Sequence, residues 1–281
     1  MKITLGFSPC PNDTFIFDAL VNNKIDTKGI NFEPKLEDVE TLNNRAINNT
    51  LDITKISFGV LPLVFNNYIV LNSGSALGTG VGPILIAKNK IPVNEIDNCI
   101  IAIPGEHTTA HMLFNLAFPL AKNKIFIRYD EVENFVLQSA SNNAAGVIIH
   151  ENRFTYAQKG LNKIIDLGEF WQNETGYPIP LGCIVAKRQL DNLLLKKIDL
   201  LIKQSIEYAF KNYPLISEYV KKHAHEMDEQ VMLKHIELYV NNYSVSLGEE
   251  GKNAVKEFLK IYQNMNEINN KSEGEIFLSK F

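Results

Sequence analysis

The sequence predicts an α/β fold of two lobes joined by two crossover strands, with a ligand cleft between the lobes. Strand and helix signals alternate from the amino terminus, and such alternation implies a sheet that is at least partly parallel. The short apolar run PILIAK returns about 100 residues later as GCIVAK, and the chain after Lys187 turns strongly helical.

The first lobe opens with the strand ITLGF, the turn SPCPNDT and a helix from about Asp13 to Asn22, whose free amides Asn12 or Asp13 can cap. INFEPKLED alternates as a second strand and EDVETLNNRAINNT reads as a helix. DITKISFG reads as a third strand, followed by the helix-like VLPLVFNN. At SGSALGTGVGPILIAKNK a glycine-rich loop runs into a β-rich stretch, and YPIPLGCIVAKRQ repeats that plan. The two are read as crossovers. They divide the chain into a larger lobe, residues 1–85 with 186–281 and the carboxyl-terminal helices, and a smaller inserted lobe, residues 86–185. Inside the insert NCIIAIPG, KIFIRYD and AGVIIHE read as strands, with HTTAHMLFNLAFPLA and VENFVLQSAS as helices between them. After Lys187 come QLDNLLLKKIDLLIKQSIEYAFKNY, ended by Pro214, and then ISEYVKKHA, DEQVMLKHIELYVNN and GEEGKNAVKEFLKIYQ, all amphipathic helices.

A chain of 281 residues, 45% apolar and 21% charged, can bury one large core or two modest ones. Its net charge of −4 is spread without long acidic or basic blocks, so nucleic acid is not an expected partner. The apolar run Ile3–Phe7 is too short for a secretory signal, and no apolar stretch reaches the roughly 18 residues a membrane helix needs. Cys10, Cys99 and Cys183 are odd in number and widely spaced, which argues against a disulfide framework or a CxxC site. The expectation is a cytoplasmic protein with no membrane partner, no metal and no cofactor.

In open α/β sheets ligands sit outside the carboxyl ends of strands, and the candidate residues are sought there. In SPCPNDT, Pro9 and Pro11 stiffen a loop that can aim Asn12, Asp13 and the helix amides at a ligand. A capped turn around a small packed thiol is the simpler alternative. At PGEHTTAHML, Thr108, Thr109 and Ala110 open a helix whose amides and hydroxyls suit a carboxylate or phosphate; plain capping by one threonine is the alternative. His150 ends AGVIIH at a strand end, where an imidazole can act as a general base near neutral pH, with Glu151 and Arg153 beside it to orient it or hold substrate. It can equally be an ordinary strand-end histidine. Ser57 ends another first-lobe strand and offers a hydroxyl.

Other patterns carry less. His107 and His111 share a helical face, but the HExxH glutamate is absent and no third ligand is near in sequence. His223 and His225 are expected to be solvated, and His235 structural. Gly78, Gly80 and Gly82 do not complete GxGxxG and a strand follows them, so a hinge or a close ligand approach is expected there. Cys10 has no sequence-linked histidine to activate it as a nucleophile.

The runs LGFSPCPNDTFIFDAL, DITKISFG, GTGVGPILIAK, PGEHTTAHMLFNL, AGVIIHENRF and HIELYVNNYSVSLGEEG resemble the 1,4-dihydroxy-6-naphthoate synthase family of the futalosine route to menaquinone, from residue 3 to about 260. The resemblance implies a two-lobed, periplasmic-binding-protein-like (type II) fold and a carbon–carbon lyase. That enzyme would split cyclic dehypoxanthine futalosine into 1,4-dihydroxy-6-naphthoate and a small fragment of the former ribose. It also implies that His150 is the proton acceptor, that Lys55, Ile56 and Ser57 form one substrate-binding strand end, and that Thr108, Thr109 and Ala110 form another. The expected partner is a small-molecule carboxylate; the oligomeric state is left open. A solute-binding protein of the same fold and chorismate dehydratase of the same pathway are the alternatives. The first would normally be exported, and SPCPNDTF with IIHE favours the synthase over the second.

Overall fold

Ile3, Leu5 and Phe7 fall at every second position of β1 (Lys2–Phe7) and all three are buried, the period expected of a strand with one face on a core. A computed structural model describes residues 1–224, 228–267 and 274–279. The elements continue with α1 (Pro11–Val21), β2 (Asn31–Leu36), α2 (Val39–Ile47), β3 (Ile53–Ser57), α3 (Leu61–Val64), β4 (Tyr68–Val70), β5 (Ala76–Gly78) and β6 (Ile84–Ala87). Then come β7 (Ile100–Ile103), α4 (Thr109–Ala117), β8 (Lys124–Phe126), α5 (Val132–Gln138), β9 (Ala144–Ile148), α6 (Asn152–Thr155), β10 (Asn162–Asp166) and α7 (Leu167–Thr175). The chain closes with β11 (Ile179–Lys187), α8 (Asn192–Asn212), α9 (Glu218–His223), α10 (Glu229–Tyr239), α11 (Asn242–Val245) and α12 (Gly248–Met265).

The backbone divides into two units, Met1–Gly78 with Pro180–Phe281, and Thr79–Ile179. The first holds a six-stranded sheet in the order β2-β1-β3-β11-β4, with β5 also paired to β11. β1 runs parallel to β2 and β3, whereas β11 runs antiparallel to β3 and β4. The second holds the sheet β10-β6-β9-β7-β8, in which β8, β7 and β9 are parallel, β6 pairs antiparallel with β9, and β10 pairs antiparallel with β6. The runs that echo each other in sequence are therefore not equivalent in place. PILIAK forms β6, inside the second unit's sheet, while GCIVAK lies in β11 of the first unit's sheet. The chain passes between the units at Gly78–Thr79 and Ile179–Pro180.

α1 begins at Pro11, with Cys10 as its N-cap and no side-chain cap bond, so neither Asn12 nor Asp13 caps it as expected. Proline suits the first helical position because its missing N–H would have no intrahelical acceptor there. Every residue from Pro11 to Leu20 is buried, since α1 is covered by α8, α9 and α10 as well as by the sheet. The Phe7 and Phe17 rings lie 4.6 Å apart, and Ser205 Oγ donates to Ile16 O at 2.6 Å from α8. α8 starts where Asp191 accepts from Leu193 N and Leu194 N, and it turns Leu195, Ile198, Leu201, Ile202 and Ile206 inward.

In the second unit Gly82 and Gly168 touch backbone to backbone. A β-carbon on Gly82 would lie 2.2 Å from Gly168 Cα, so the close approach expected of this glycine loop is to the protein's own chain. Trp171 of α7 is fully buried and donates from Nε1 to Pro178 O at 3.3 Å. Among the described residues no helix is long and apolar enough to cross a membrane.

Candidate functional site

In the first unit the parallel strands β1 and β3 end together, which brings the SPCPNDT turn to the end of Lys55-Ile56-Ser57. Asp13 reaches back from the first turn of α1, and its Oδ2 accepts from Ser8 N at 3.1 Å and Ser8 Oγ at 2.8 Å. Its Oδ1 accepts from Asn12 Nδ2 at 2.9 Å and faces Lys55 Nζ at 3.3 Å. Lys55 Nζ also donates to Gly74 O at 2.9 Å. Asp13 and Lys55 are 1% and 5% exposed, so the pair is withdrawn from water and each partner relies on the other and on its hydrogen bonds.

Asn12 is held on its other side by His235, whose Nε2 is 2.9 Å from Asn12 Oδ1. His235 is fully buried, its ring 4.7 Å from that of Tyr239. At the strand end Asn43 of α2 grips Ser57: Ser57 N donates to Asn43 Oδ1 at 2.9 Å, and Asn43 Nδ2 donates to Ser57 Oγ at 3.3 Å. Gly182 of β11 stands opposite Ser57, and a β-carbon there would come within 2.8 Å of Ile56 O and 3.4 Å of Lys55 Cε. Ile56 itself is fully buried in the sheet.

In the second unit the carboxyl ends of β8, β7 and β9 emerge along one edge because the three strands are parallel neighbours. β7 leads through Pro104 and Gly105, at φ +134°, into α4. Thr108 is the N-cap: Oγ1 accepts from His111 N at 3.2 Å and donates to Gly105 O at 2.9 Å. Its hydroxyl thus serves the turn, and Thr109 and Ala110, both buried, supply the leading amides of the helix. β8 leads to Tyr129 and β9 to His150. The His150 backbone has φ +56°, a left-handed conformation costly for a residue with a β-carbon, and its ring stands 5.0 Å from that of Tyr129 at 72°. His150 is partly exposed while Glu151 and Asn152 are buried.

The Arg153 side chain is bonded within its own unit, away from the imidazole. Its guanidinium donates to Gly82 O at 2.5 Å, Gly80 O at 2.8 Å and Asp166 Oδ2 at 2.6 Å. Asp166 Oδ1 in turn caps α7 through Gly168 N and Glu169 N.

Of the remaining histidines, His111 uses both ring nitrogens, with Nδ1 2.7 Å from Glu106 O and Nε2 3.0 Å from Asn115 Nδ2. Among the described residues no group of three or more His, Cys, Asp or Glu side chains assembles as a metal site. His223 is partly exposed and packs on Tyr219; His225 lies outside the described residues. All three cysteines are buried, and burial pushes the Cys183 thiol far up from its ordinary pKa. Sequence reading did not identify Asn43, Gly74 or Tyr129. The turn and helix residues around them carry no signature of their own, and only the sheet order brings them to Ser57, Lys55 and His150.

Two α/β units of this design are the architecture of periplasmic-binding-protein-like proteins. The ligand-binding component of an ABC-type import system from Staphylococcus aureus matches with TM-score 0.70 at 11% identity, over 99% of this chain and 96% of its own. A structure from Archaeoglobus fulgidus matches far more closely, with TM-score 0.88 at 31% identity over 95% of this chain and 98% of its own. The family model described as menaquinone biosynthesis matches residues 3–264. A 1,4-dihydroxy-6-naphthoate synthase from Thermus thermophilus is 42% identical, over 90% of this chain and 91% of its own. One from Streptomyces coelicolor is 36% identical, over 92% and 91%. The chain belongs to the menaquinone biosynthesis family, with 1,4-dihydroxy-6-naphthoate synthases among its relatives.

Proposed function

We propose that the protein is a carbon–carbon lyase that converts cyclic dehypoxanthine futalosine to 1,4-dihydroxy-6-naphthoate, with His150 as its general base. Two relatives named for that product support the reading. The observation that carries the residue assignment is the left-handed backbone of His150. Such strain is retained where the surrounding structure has a use for it, and here it sits on a partly exposed imidazole at the carboxyl edge of a parallel sheet.

His150 accepts a proton from a hydroxyl of the former ribose, and the released electron pair becomes the carbonyl of the departing fragment. The carbon–carbon bond breaks, its electron pair passes into the ring system, the imidazolium returns the proton there and the ring becomes aromatic, which supplies much of the driving force. The substrate carboxylate lies on the leading amides of α4 at Thr109 and Ala110, where the helix dipole and N–H groups favour an anion. Thr108 shapes that turn. In the first unit Lys55, Ile56 and Ser57, with Asn12 and Asp13 behind them, form a second group of substrate-binding residues. The reaction is assigned to the cytoplasm and to residues of this chain without a cofactor.

The test is turnover of cyclic dehypoxanthine futalosine by the purified protein, followed by mass spectrometry, beside His150→Ala. Naphthoate from the wild type and a rate about 10²–10⁴ lower in the variant are expected. Tight binding without product from either protein would make this a binding protein and remove the base assignment.

A further inference from the structure

We propose that His235 is a positioning residue, which through Asn12 and Asp13 fixes the Lys55 ammonium in the orientation in which it meets the substrate. The inference rests on the reading of Lys55 as a substrate-binding residue.

The direction of each hydrogen bond follows from its neighbours. A carboxylate only accepts, so Asn12 must present its Nδ2 to Asp13 Oδ1, at 2.9 Å. That fixes the amide and turns Asn12 Oδ1 toward His235 Nε2, also at 2.9 Å, so the histidine carries a proton on Nε2. Asp13 then has its two oxygens filled by Ser8 N, Ser8 Oγ, Asn12 Nδ2 and the Lys55 ammonium. The ammonium donates one proton to Gly74 O and stands in ion contact with Asp13 Oδ1 at 3.3 Å, and these two contacts limit where its remaining protons point. All four side chains of the relay, His235, Asn12, Asp13 and Lys55, are less than a tenth exposed, so water does not substitute for a lost partner without cost. His235 arrives from α10, a stretch of chain far from the β1 turn and from β3, which ties the carboxyl-terminal helices to the site.

The experiment is a double-mutant cycle on KM and kcat, using Lys55→Met, His235→Leu, His235→Gln and the double variant Lys55→Met/His235→Leu, with thermal unfolding of each. Removing the donor in His235→Leu is expected to raise KM roughly five- to tenfold, the weight of one hydrogen bond. His235→Gln, whose amide can donate to Asn12, restores most of it. The double variant is expected to be no worse than Lys55→Met alone, because His235 acts through Lys55. Additive losses in the double variant would overturn the proposal, as they would mark a role for His235 in packing only. A Lys55→Met enzyme with wild-type KM would instead refute the substrate-binding reading of Lys55. Should His235→Leu fail to fold, ¹⁵N spectra of the wild-type histidines, assigned with His235→Gln, decide the matter. A proton on Nε2 supports the relay, and one on Nδ1 alone overturns it.

Discussion

The rings of His150 and Tyr129 meet edge to face, centroids 5.0 Å apart, over a His150 backbone held at φ +56°. A left-handed conformation costs a residue with a β-carbon roughly 1–2 kcal/mol, and glycine pays none of it. His150→Gly and His150→Ala lose the same imidazole and the same ring contact. His150→Gly is therefore expected to be the more stable of the two by about 1 kcal/mol, with turnover lost equally in both. Thermal unfolding measures the first and steady-state assays the second. Equal unfolding temperatures would mean that the backbone at this position relaxes and stores nothing for catalysis.

Gly80 and Gly82 are two residues apart in one loop and are expected to respond to substitution very differently. A β-carbon on Gly80 meets nothing within 4 Å, so Gly80→Ala carries only the cost of its φ of +66°, about 1 kcal/mol. A β-carbon on Gly82 would press to 2.2 Å on Gly168 Cα and 2.3 Å on Gly168 N, backbone atoms that cannot swing aside. Gly82→Ala is expected to destabilise by about 3 kcal/mol or more, and Gly168→Ala to do the same from the other side. Chemical denaturation of the three variants checks the order; similar losses for Gly80→Ala and Gly82→Ala would contradict it.

That contrast also marks what could be read in the sequence. GTGVGP announces a special loop, because three glycines in five residues have no other use. Its partner Gly168 lies in a region where neither β10 nor α7 was anticipated, since NKIID is short and half exposed and LGEFWQNET has few periodic apolar positions. The βα rhythm, by contrast, was legible wherever burial is one-sided, as in β1 and α8. α1 was legible as a helix, but the role of its first turn was not, because that turn is organised by bonds running back to Ser8 and across to Lys55 and His235. Position at a strand end was enough to raise His150, Ser57 and Thr108 from the sequence. The grip of Asn43 on Ser57 was not legible, because it depends on the packing of α2 against β3.

His111 gives a pH dependence whose sign can be worked out. Burial, with Lys124 and His107 nearby, lowers its pKa from 6.5, although the carbonyl of Glu106 pulls the other way. Between the folded value and 6.5 the unfolded chain binds the proton and the folded chain does not, so stability falls as pH is lowered through that window. The contribution of neutral His111 is complete above 6.5 and is lost as pH drops through the folded value. His111→Gln, which keeps a polar group without a titration, is expected to flatten the fall in unfolding free energy below pH 6.5. An unchanged slope in the variant would assign it to another group.

Arg153 is the last case, and it separates charge from shape. Its two terminal nitrogens serve Gly82 O, Gly80 O and Asp166 Oδ2 from one planar group, and Asp166 passes the restraint on to the start of α7. Lysine keeps the charge but has a single nitrogen, which cannot reach acceptors spread over the two arms of a guanidinium. Arg153→Lys is expected to lose about 1–3 kcal/mol in the second unit, with Arg153→Ala worse because Asp166 then remains buried without its cation. α6 follows the His150 turn directly, and Arg153 N donates to His150 O at 3.3 Å, so a loosened Arg153 also loosens His150, the proposed base. In the folded Arg153→Lys enzyme kcat is therefore expected to fall by more than KM rises. A raised KM with unchanged kcat would instead place the guanidinium on the substrate and restore the role that the sequence suggested for it.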